Sequence, residues 1–160
     1  MNFQRTECPI GHVFIAADDK AVHVIGFEQN WDAKIQGVDG LQEQSNAIID
    51  ETTEQLQQYF DGKRETFDLP LKLQGTVFQQ QAWQALQQIP FGETRSYSDQ
   101  AEAINNPNAV RAIGHANSLN PISIVVPCHR VIAKSGKLAG YAGGVDTKQY
   151  LLEHERQCKA

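Results

Sequence analysis

Apolar and polar positions along the chain change period several times, and each change marks a predicted element. Residues 10–17 and 21–27 are apolar, β-branched runs separated by Asp18-Asp19-Lys20, which predicts a hairpin. Residues 31–38 are less regular and are read as a strand or loop. Over residues 41–60 the period lengthens: Ile48, Ile49, Leu56, Tyr59 and Phe60 fall near one face, predicting a long helix that Gly62 ends. Residues 67–73 alternate imperfectly around Pro70, as an edge strand or extended linker does, because proline has no N–H for a ladder.

The second half opens on capping signals. Thr76 with Gln79 three residues on, followed by Val77, Phe78, Ala82, Trp83, Leu86 and Ile89, predicts a helix stopped by Pro90. Ser96 with Asp99 predicts a second, short helix, broken by Asn106-Pro107-Asn108. Residues 109–118 then form a third, rich in small residues. Two short helices joined by a tight turn make a helix-turn-helix. Residues 122–126 are a β-branched run ended by Pro127, and Val131-Ile132 is another, followed by a Ser135-Gly136 turn. Glycines 136, 140, 143 and 144 mark a tightly turned stretch around Tyr141, and residues 147–157 close the chain as a helix with Tyr150, Leu151 and Leu152 facing inward.

A length of 160 residues suits one domain, or a small domain joined to a larger one. Hydrophobic residues make up 41% and charged residues 21%, the balance of a soluble globular protein. No apolar run is long enough to span a membrane or serve as a secretory signal, so a cytoplasmic protein is expected. Cys8, Cys128 and Cys158 are too few and too widely spaced for a disulfide framework, and the histidines and cysteines show no zinc spacing. The net charge of -5 is unevenly spread: residues 1–73 hold six basic against thirteen acidic side chains, and residues 74–160 hold eight against six. A mildly positive second half is compatible with phosphate contact, and equally with a mixed solvated face.

Cys128 lies between Pro127 and His129. A thiol becomes a good nucleophile when an imidazole oriented by a carboxylate takes its proton, and Glu155 on the last helix is the candidate carboxylate. An inert core cysteine beside a surface histidine accounts for the same pair. On the third helix Arg111 stands among the small residues Ala112, Gly114 and Ala116. An arginine so placed can enter a DNA groove, while small residues equally serve close helix packing.

The blocks Ile89-Pro90-Phe91-Gly92-Glu93-Thr94-Arg95-Ser96-Tyr97, Asn106-Pro107, Arg111-Ala112-Ile113-Gly114, Asn120-Pro121-Ile122, Pro127-Cys128-His129-Arg130-Val131-Ile132, Gly140-Tyr141-Ala142-Gly143-Gly144 and Leu151-Leu152-Glu153-His154-Glu155 closely resemble those of methylated-DNA–protein-cysteine methyltransferases, the O6-alkylguanine-DNA alkyltransferases. The resemblance is strongest over residues 74–157 and extends more weakly, through Pro9-Ile10-Gly11, almost to the N-terminus.

That resemblance implies an α/β, ribonuclease-H-like supporting domain over residues 1–73. It implies a mostly helical DNA-binding and alkyl-acceptor domain with a winged helix-turn-helix over residues 74–160. Cys128 is then the alkyl acceptor, with His129 and Glu155 as the relay that generates its thiolate through a bridging water. Arg111 corresponds to the finger that enters the base stack, and Tyr97 to the tyrosine that crowds the 3′ phosphate. Ala112, Arg130 and Ser135 complete the DNA-facing set. Tyr141 would donate to N3 of the flipped base, the carbonyls of Cys128 and Val131 would accept from its exocyclic amine, and the backbone N–H of Ala142 would face O6. Lys148 would support the pocket, and Asn120 would tie the recognition helix to the active-site turn. The implied partner is double-stranded DNA carrying alkylated bases, met by a monomer that needs neither cofactor nor metal.

The sequence departs from the family at His115, where a small residue is common, and the first half lacks the cysteine and histidine cluster that binds zinc in some relatives. Three rival readings are weighed against the resemblance. A damage-recognition module that only binds would lack the reactive cysteine. A transcription regulator has no need of Pro127-Cys128-His129-Arg130, and a cysteine hydrolase needs an oxyanion site that the sequence does not offer.

Overall fold

Every residue of 2–8 pairs with the first arm of the predicted hairpin, so the sheet begins eight residues before the first apolar run. In the computed structural model, which describes residues 1–138 and 141–159, β1 (Asn2–Cys8), β2 (Gly11–Ala17) and β3 (Val22–Phe27) form an antiparallel meander. A short β4 (Gln42–Glu43) joins β1 in parallel, giving the order β3-β2-β1-β4. β1 was missed because its residues are polar or half-buried and show no apolar run. The turn between β2 and β3 is closed by Asp18, whose Oδ1 accepts from the N–H groups of Lys20 and Ala21 at 2.9 and 2.8 Å. Gly140, one of the glycines of the turned stretch, lies outside the described residues.

Alternation along β2 sends Val13, Ile15 and Ala17 into the main core and Phe14 and Ala16 to the other face. That second face is covered by Trp31, stacked on Phe14 with ring centroids 5.1 Å apart. Covering it takes one helical turn, α1 (Trp31–Lys34), where a strand or loop was expected over residues 31–38. The long helix is also shorter than its pattern: α2 runs Ala47–Phe60, because Asn46 caps it by accepting from Ile49 N–H at 2.9 Å. Residues 67–73 behave as an edge: Val22 N–H donates to Pro70 O and Lys72 N–H to Val22 O, both at 2.8 Å.

Both predicted capping boxes are formed, Thr76 with Gln79 opening α3 (Val77–Gln87) and Ser96 with Asp99 opening α4 (Tyr97–Ala103). α5 (Val110–Ser118) packs on both. Its orientation is fixed by buried polar pairs. Trp83 Nε1 donates to Ala116 O at 2.9 Å, and the amides of Gln100 and Asn117 exchange hydrogen bonds at 2.9 and 2.8 Å. β5 (Arg95–Ser96) and β6 (Val131–Ile132) form a two-residue parallel ladder, and α6 (Val145–Lys159) closes the chain.

Residues 122–126 are not the expected strand. Only Ile122 bridges β3, through Ile25, and the chain then turns with Ile124 at φ 71, a left-handed conformation that a β-branched residue rarely takes. The turn holds because its polar groups are claimed from within: Asn120 accepts from Ile122 N–H at 3.0 Å and donates to Val126 O at 2.8 Å. One apolar core, from Val13 on the sheet to Val131 and Leu151, packs around this turn and fixes where residue 128 stands.

Candidate active site

Cys128 opens a single 3-10 turn with His129 and Arg130, directly after the turn that Asn120 stitches. Its side chain is buried, with residual exposure of 8%, and Asn120 Nδ2 donates to Sγ at 3.2 Å. Asn120 therefore links the end of α5 to the cysteine and the backbone before it.

His129 is fully buried and donates from Nε2 to Glu155 Oε2 at 2.6 Å. Its other ring nitrogen, Nδ1, has no protein partner among the described residues. Burial pushes the imidazole below its ordinary range, partly opposed by Glu155, so the ring is neutral at pH 7. Burial alone would raise Glu155, but hydrogen bonds and charge from His129 and Arg130 outweigh it and hold the carboxylate well below its usual range.

Glu155 is the hub of the site. Arg130 donates to it from Nε at 2.8 Å and from Nη2 at 3.1 Å, Gly92 N–H donates at 3.2 Å, and the Tyr59 hydroxyl donates to Oε2 at 2.6 Å. From its third nitrogen, Nη1, Arg130 donates to Ile89 O at 2.7 Å, and the residue is 6% exposed. The expectation that Arg130 faces DNA is therefore corrected: its fork matches a carboxylate, and the arginine neutralises a charge that could not otherwise be buried.

Tyr141 presents a buried hydroxyl with no partner in hydrogen-bond geometry among the described residues, although Ser123 and Cys128 lie close enough to act on its proton. Lys148 Nζ donates to Val131 O at 2.6 Å and lies 6.0 and 5.9 Å from the ring centroids of Tyr97 and Tyr141. Val131 N–H in turn donates to Cys128 O. A carbonyl oxygen has two lone pairs, so neither of these bonds by itself uses up its acceptor. Ala142, next to Tyr141 in the chain, is exposed.

Arg111 and Ala112 are exposed on α5, as is His115, and Ser135 is exposed in the turn after β6. The structure thus gathers Cys128, Asn120, His129, Glu155, Tyr141, Val131 and Lys148 in one buried constellation, with Tyr97 at its edge. Arg111, Ala112 and Ser135 lie on the surface outside it.

Two residues of the first 73 were not foreseen. Tyr59 sits on the apolar face of α2, where a tyrosine reads as core, and only its need for a buried partner hinted at more. Lys34 reaches Ser123 Oγ at 2.6 Å from α1, in a stretch whose pattern carried no signal. No group of side chains suited to hold a metal occurs among the described residues.

The chain matches two family models, "6-O-methylguanine DNA methyltransferase, ribonuclease-like domain" over residues 1–73 and "6-O-methylguanine DNA methyltransferase, DNA binding domain" over residues 77–157. It is similar to the methylated-DNA–protein-cysteine methyltransferase of Methanosarcina acetivorans, 45% identical over 95% of this chain and 96% of the relative. Similarity to the constitutive enzyme of that name from Bacillus subtilis is also 45%, over 98% of this chain and 96% of the relative. Among solved structures it resembles Mycobacterium tuberculosis OGT in complex with DNA, with a TM-score of 0.90 and 41% identity over 99% of this chain and 94% of that one.

Proposed function

The chain belongs to the 6-O-methylguanine DNA methyltransferase family, and from that premise we propose that it repairs DNA by moving an alkyl group from O6 of guanine to Cys128. The observation that carries this reading is the buried cysteine followed directly by a histidine bound to Glu155 at 2.6 Å. A neutral imidazole oriented by a carboxylate is suited to take a thiol proton, here through a water at Nδ1.

The reaction is a single displacement. The thiolate attacks the alkyl carbon, an S–C bond forms, the C–O6 bond breaks, and its electron pair stays with guanine, which takes up one proton and so balances the one that His129 drew from the thiol. Tyr141 donates toward N3 and the Ala142 N–H toward O6, where negative charge develops, and Cys128 O and Val131 O accept from the exocyclic amine. A thioether is not cleaved in such a site, so each molecule acts once.

A stacked O6 cannot meet a buried sulfur, so the base is turned out of the helix. We read residues 1–73 as the supporting domain and residues 74–160 as the DNA-binding and acceptor domain. Within the latter, α4 and α5 act as a helix-turn-helix, and the β5–β6 ladder with the turn at Ser135 as its wing. Arg111 fills the gap left by the flipped nucleotide, Tyr97 crowds the neighbouring phosphate, and Ala112 and Ser135 border the duplex. The protein acts as a monomer on double-stranded DNA.

Mass spectrometry after incubation with a duplex carrying one O6-methylguanine tests this. One methyl on the Cys128 peptide, saturating at one per protein and absent from C128S, is the expected result. An unmodified protein with the lesion still in place would reduce the function to recognition, and a vanished lesion with an unmodified protein would require a turnover enzyme.

A further inference from the structure

Phe27 belongs to β3, in the sheet of residues 1–73, yet its ring ends against the stretch of chain that carries Tyr141. The strand fixes its place: Phe27 pairs with Val13 on β2, its N–H donates to Asn30 Oδ1 at 2.8 Å, and its carbonyl accepts from Asn30 N–H at 3.1 Å. The residue is 2% exposed, and its ring centroid lies 6.5 Å from that of Tyr141, the planes tilted by 53°. Tyr141 in turn opens a tight turn, closed by Gly144 N–H donating to Tyr141 O at 3.0 Å, with Gly144 at φ 96.

Gly143 sits where the two rings converge. A Cβ there would stand 2.8 Å from Phe27 Cδ2, 3.1 Å from Phe27 Cε2 and 2.8 Å from Tyr141 Cε2. Those separations are well inside the roughly 3.5 Å at which carbon atoms pack, so glycine is what lets the turn close onto Phe27. The Tyr141 hydroxyl is buried and has no hydrogen-bond partner among the described residues. Lys148 Nζ, 5.9 Å from the Tyr141 centroid, is directed to Val131 O. Packing of the ring therefore does the work of placing a hydroxyl that no hydrogen bond holds.

We propose that Phe27 is a positioning residue for the base pocket: its ring, closed on Gly143, holds the Tyr141 hydroxyl where the flipped guanine meets it. The role rests on the reading of Tyr141 as the donor to N3 and of Cys128 as the acceptor. It gives residues 1–73 a part in reading the base, through a side chain that acts from behind Tyr141.

The test is a double-mutant cycle of wild type, F27L, Y141F and F27L/Y141F, with the fold of each checked by its Tm. Methyl transfer from free O6-methylguanine to the Cys128 peptide is followed by mass. Reaction of the same peptide with iodoacetamide serves as a control that needs no base contact. Binding of free O6-methylguanine is measured by calorimetry with the same four proteins in a C128S background. Misplacing a group by about 1 Å can cost about a hundredfold, so F27L, which shortens the ring, should slow methyl transfer about tenfold and keep its iodoacetamide rate within about twofold of wild type. In the Y141F background F27L should add less than about twofold, because the hydroxyl it positions is already gone. G143A presses on both rings from the turn and spares the sheet, so the same pattern from it carries the test where F27L does not fold. An equal loss in both backgrounds, or equal slowing of the iodoacetamide reaction, would make Phe27 a core residue and nothing more, and would overturn the proposal. If wild type takes no methyl at Cys128 while the C128S protein binds the base, the acceptor reading fails alone. The binding cycle then decides: binding weakened by F27L only where Tyr141 is present supports the role, and any other pattern ends it. Absence of both transfer and binding would take down the base pocket and the proposal together.

Discussion

The hydroxyl of Tyr59 and the carboxylate of Glu155 meet at 2.6 Å across 96 residues of chain, fully buried, joining α2 to the relay on α6. Glu155 Oε2 accepts from His129 at the same distance, so one oxygen is shared between the imidazole and a phenol from the other end of the protein. Burial and the neighbouring carboxylate both push the Tyr59 hydroxyl far above its ordinary pKa, so it remains a donor throughout the working range.

Replacing Tyr59 with Phe removes that donor and leaves the ring. Hydrogen bonds to charged groups contribute about 1.5–3 kcal/mol, so Y59F should lose about 2 kcal/mol in urea unfolding and alkylate more slowly, because Glu155 Oε2 then keeps only His129 and Arg130 as donors. A change below about 0.5 kcal/mol with an unchanged rate would mean that the contact carries no load.

The pairing of His129 with Glu155 beside Cys128 was legible in the sequence because these are chemically distinctive types inside a recognisable motif. Thr76 and Ser96 were legible as caps because capping is a local rule. Arg130 was misread for the opposite reason: an arginine in a DNA-binding half looks like a phosphate contact, and nothing local says that Glu155, 25 residues on, will claim it. Residues 122–126 looked like a strand because β-branched residues favour one. What overrides them is the Asn120 side chain, which satisfies the backbone of a turn and leaves Ile124 in a conformation its own type disfavours.

Arg111 separates duplex work from chemistry. It is exposed on α5 and lies outside the buried constellation. R111A should slow repair of an O6-methylguanine duplex by roughly tenfold or more, the equivalent of about 1.4 kcal/mol, while leaving reaction with the free base nearly unchanged. Equal losses on both substrates, measured by single-turnover kinetics, would remove it from any role in extruding the base.

Arg130 should behave as structure and not as a DNA contact. R130M leaves Glu155 buried without its guanidinium, and breaking such a pair costs about 3–5 kcal/mol, so a large drop in the urea midpoint is expected. The salt dependence of duplex binding by the folded variant should keep its slope. A slope reduced by about one counterion would put the guanidinium back on a phosphate.

Stability should climb with pH from mildly acidic conditions to mildly alkaline ones, and the sign follows group by group. His129 is depressed by burial, so as pH falls through the ordinary histidine value of about 6.5 the unfolded chain binds a proton that the folded one refuses, and stability drops. Glu155 is also depressed, so below about 4.3 the unfolded carboxylate protonates first and stability drops again. Lys34, at about 8 in the folded state against roughly 10.4 unfolded, gives the same sign on the alkaline side, because its burial penalty is relieved as pH rises between those values. Tyr59 and Tyr141 reverse the trend above about 10, where the unfolded phenols ionise and the buried ones do not. Urea midpoints at pH 5, 7, 9 and 10.5 should therefore rise over the first three and fall at the last, with H129Q flattening the rise between 5 and 7. A wild-type midpoint that does not change between pH 5 and 7 would show that the imidazole is not buried in its neutral form, and the relay as drawn would have to be abandoned.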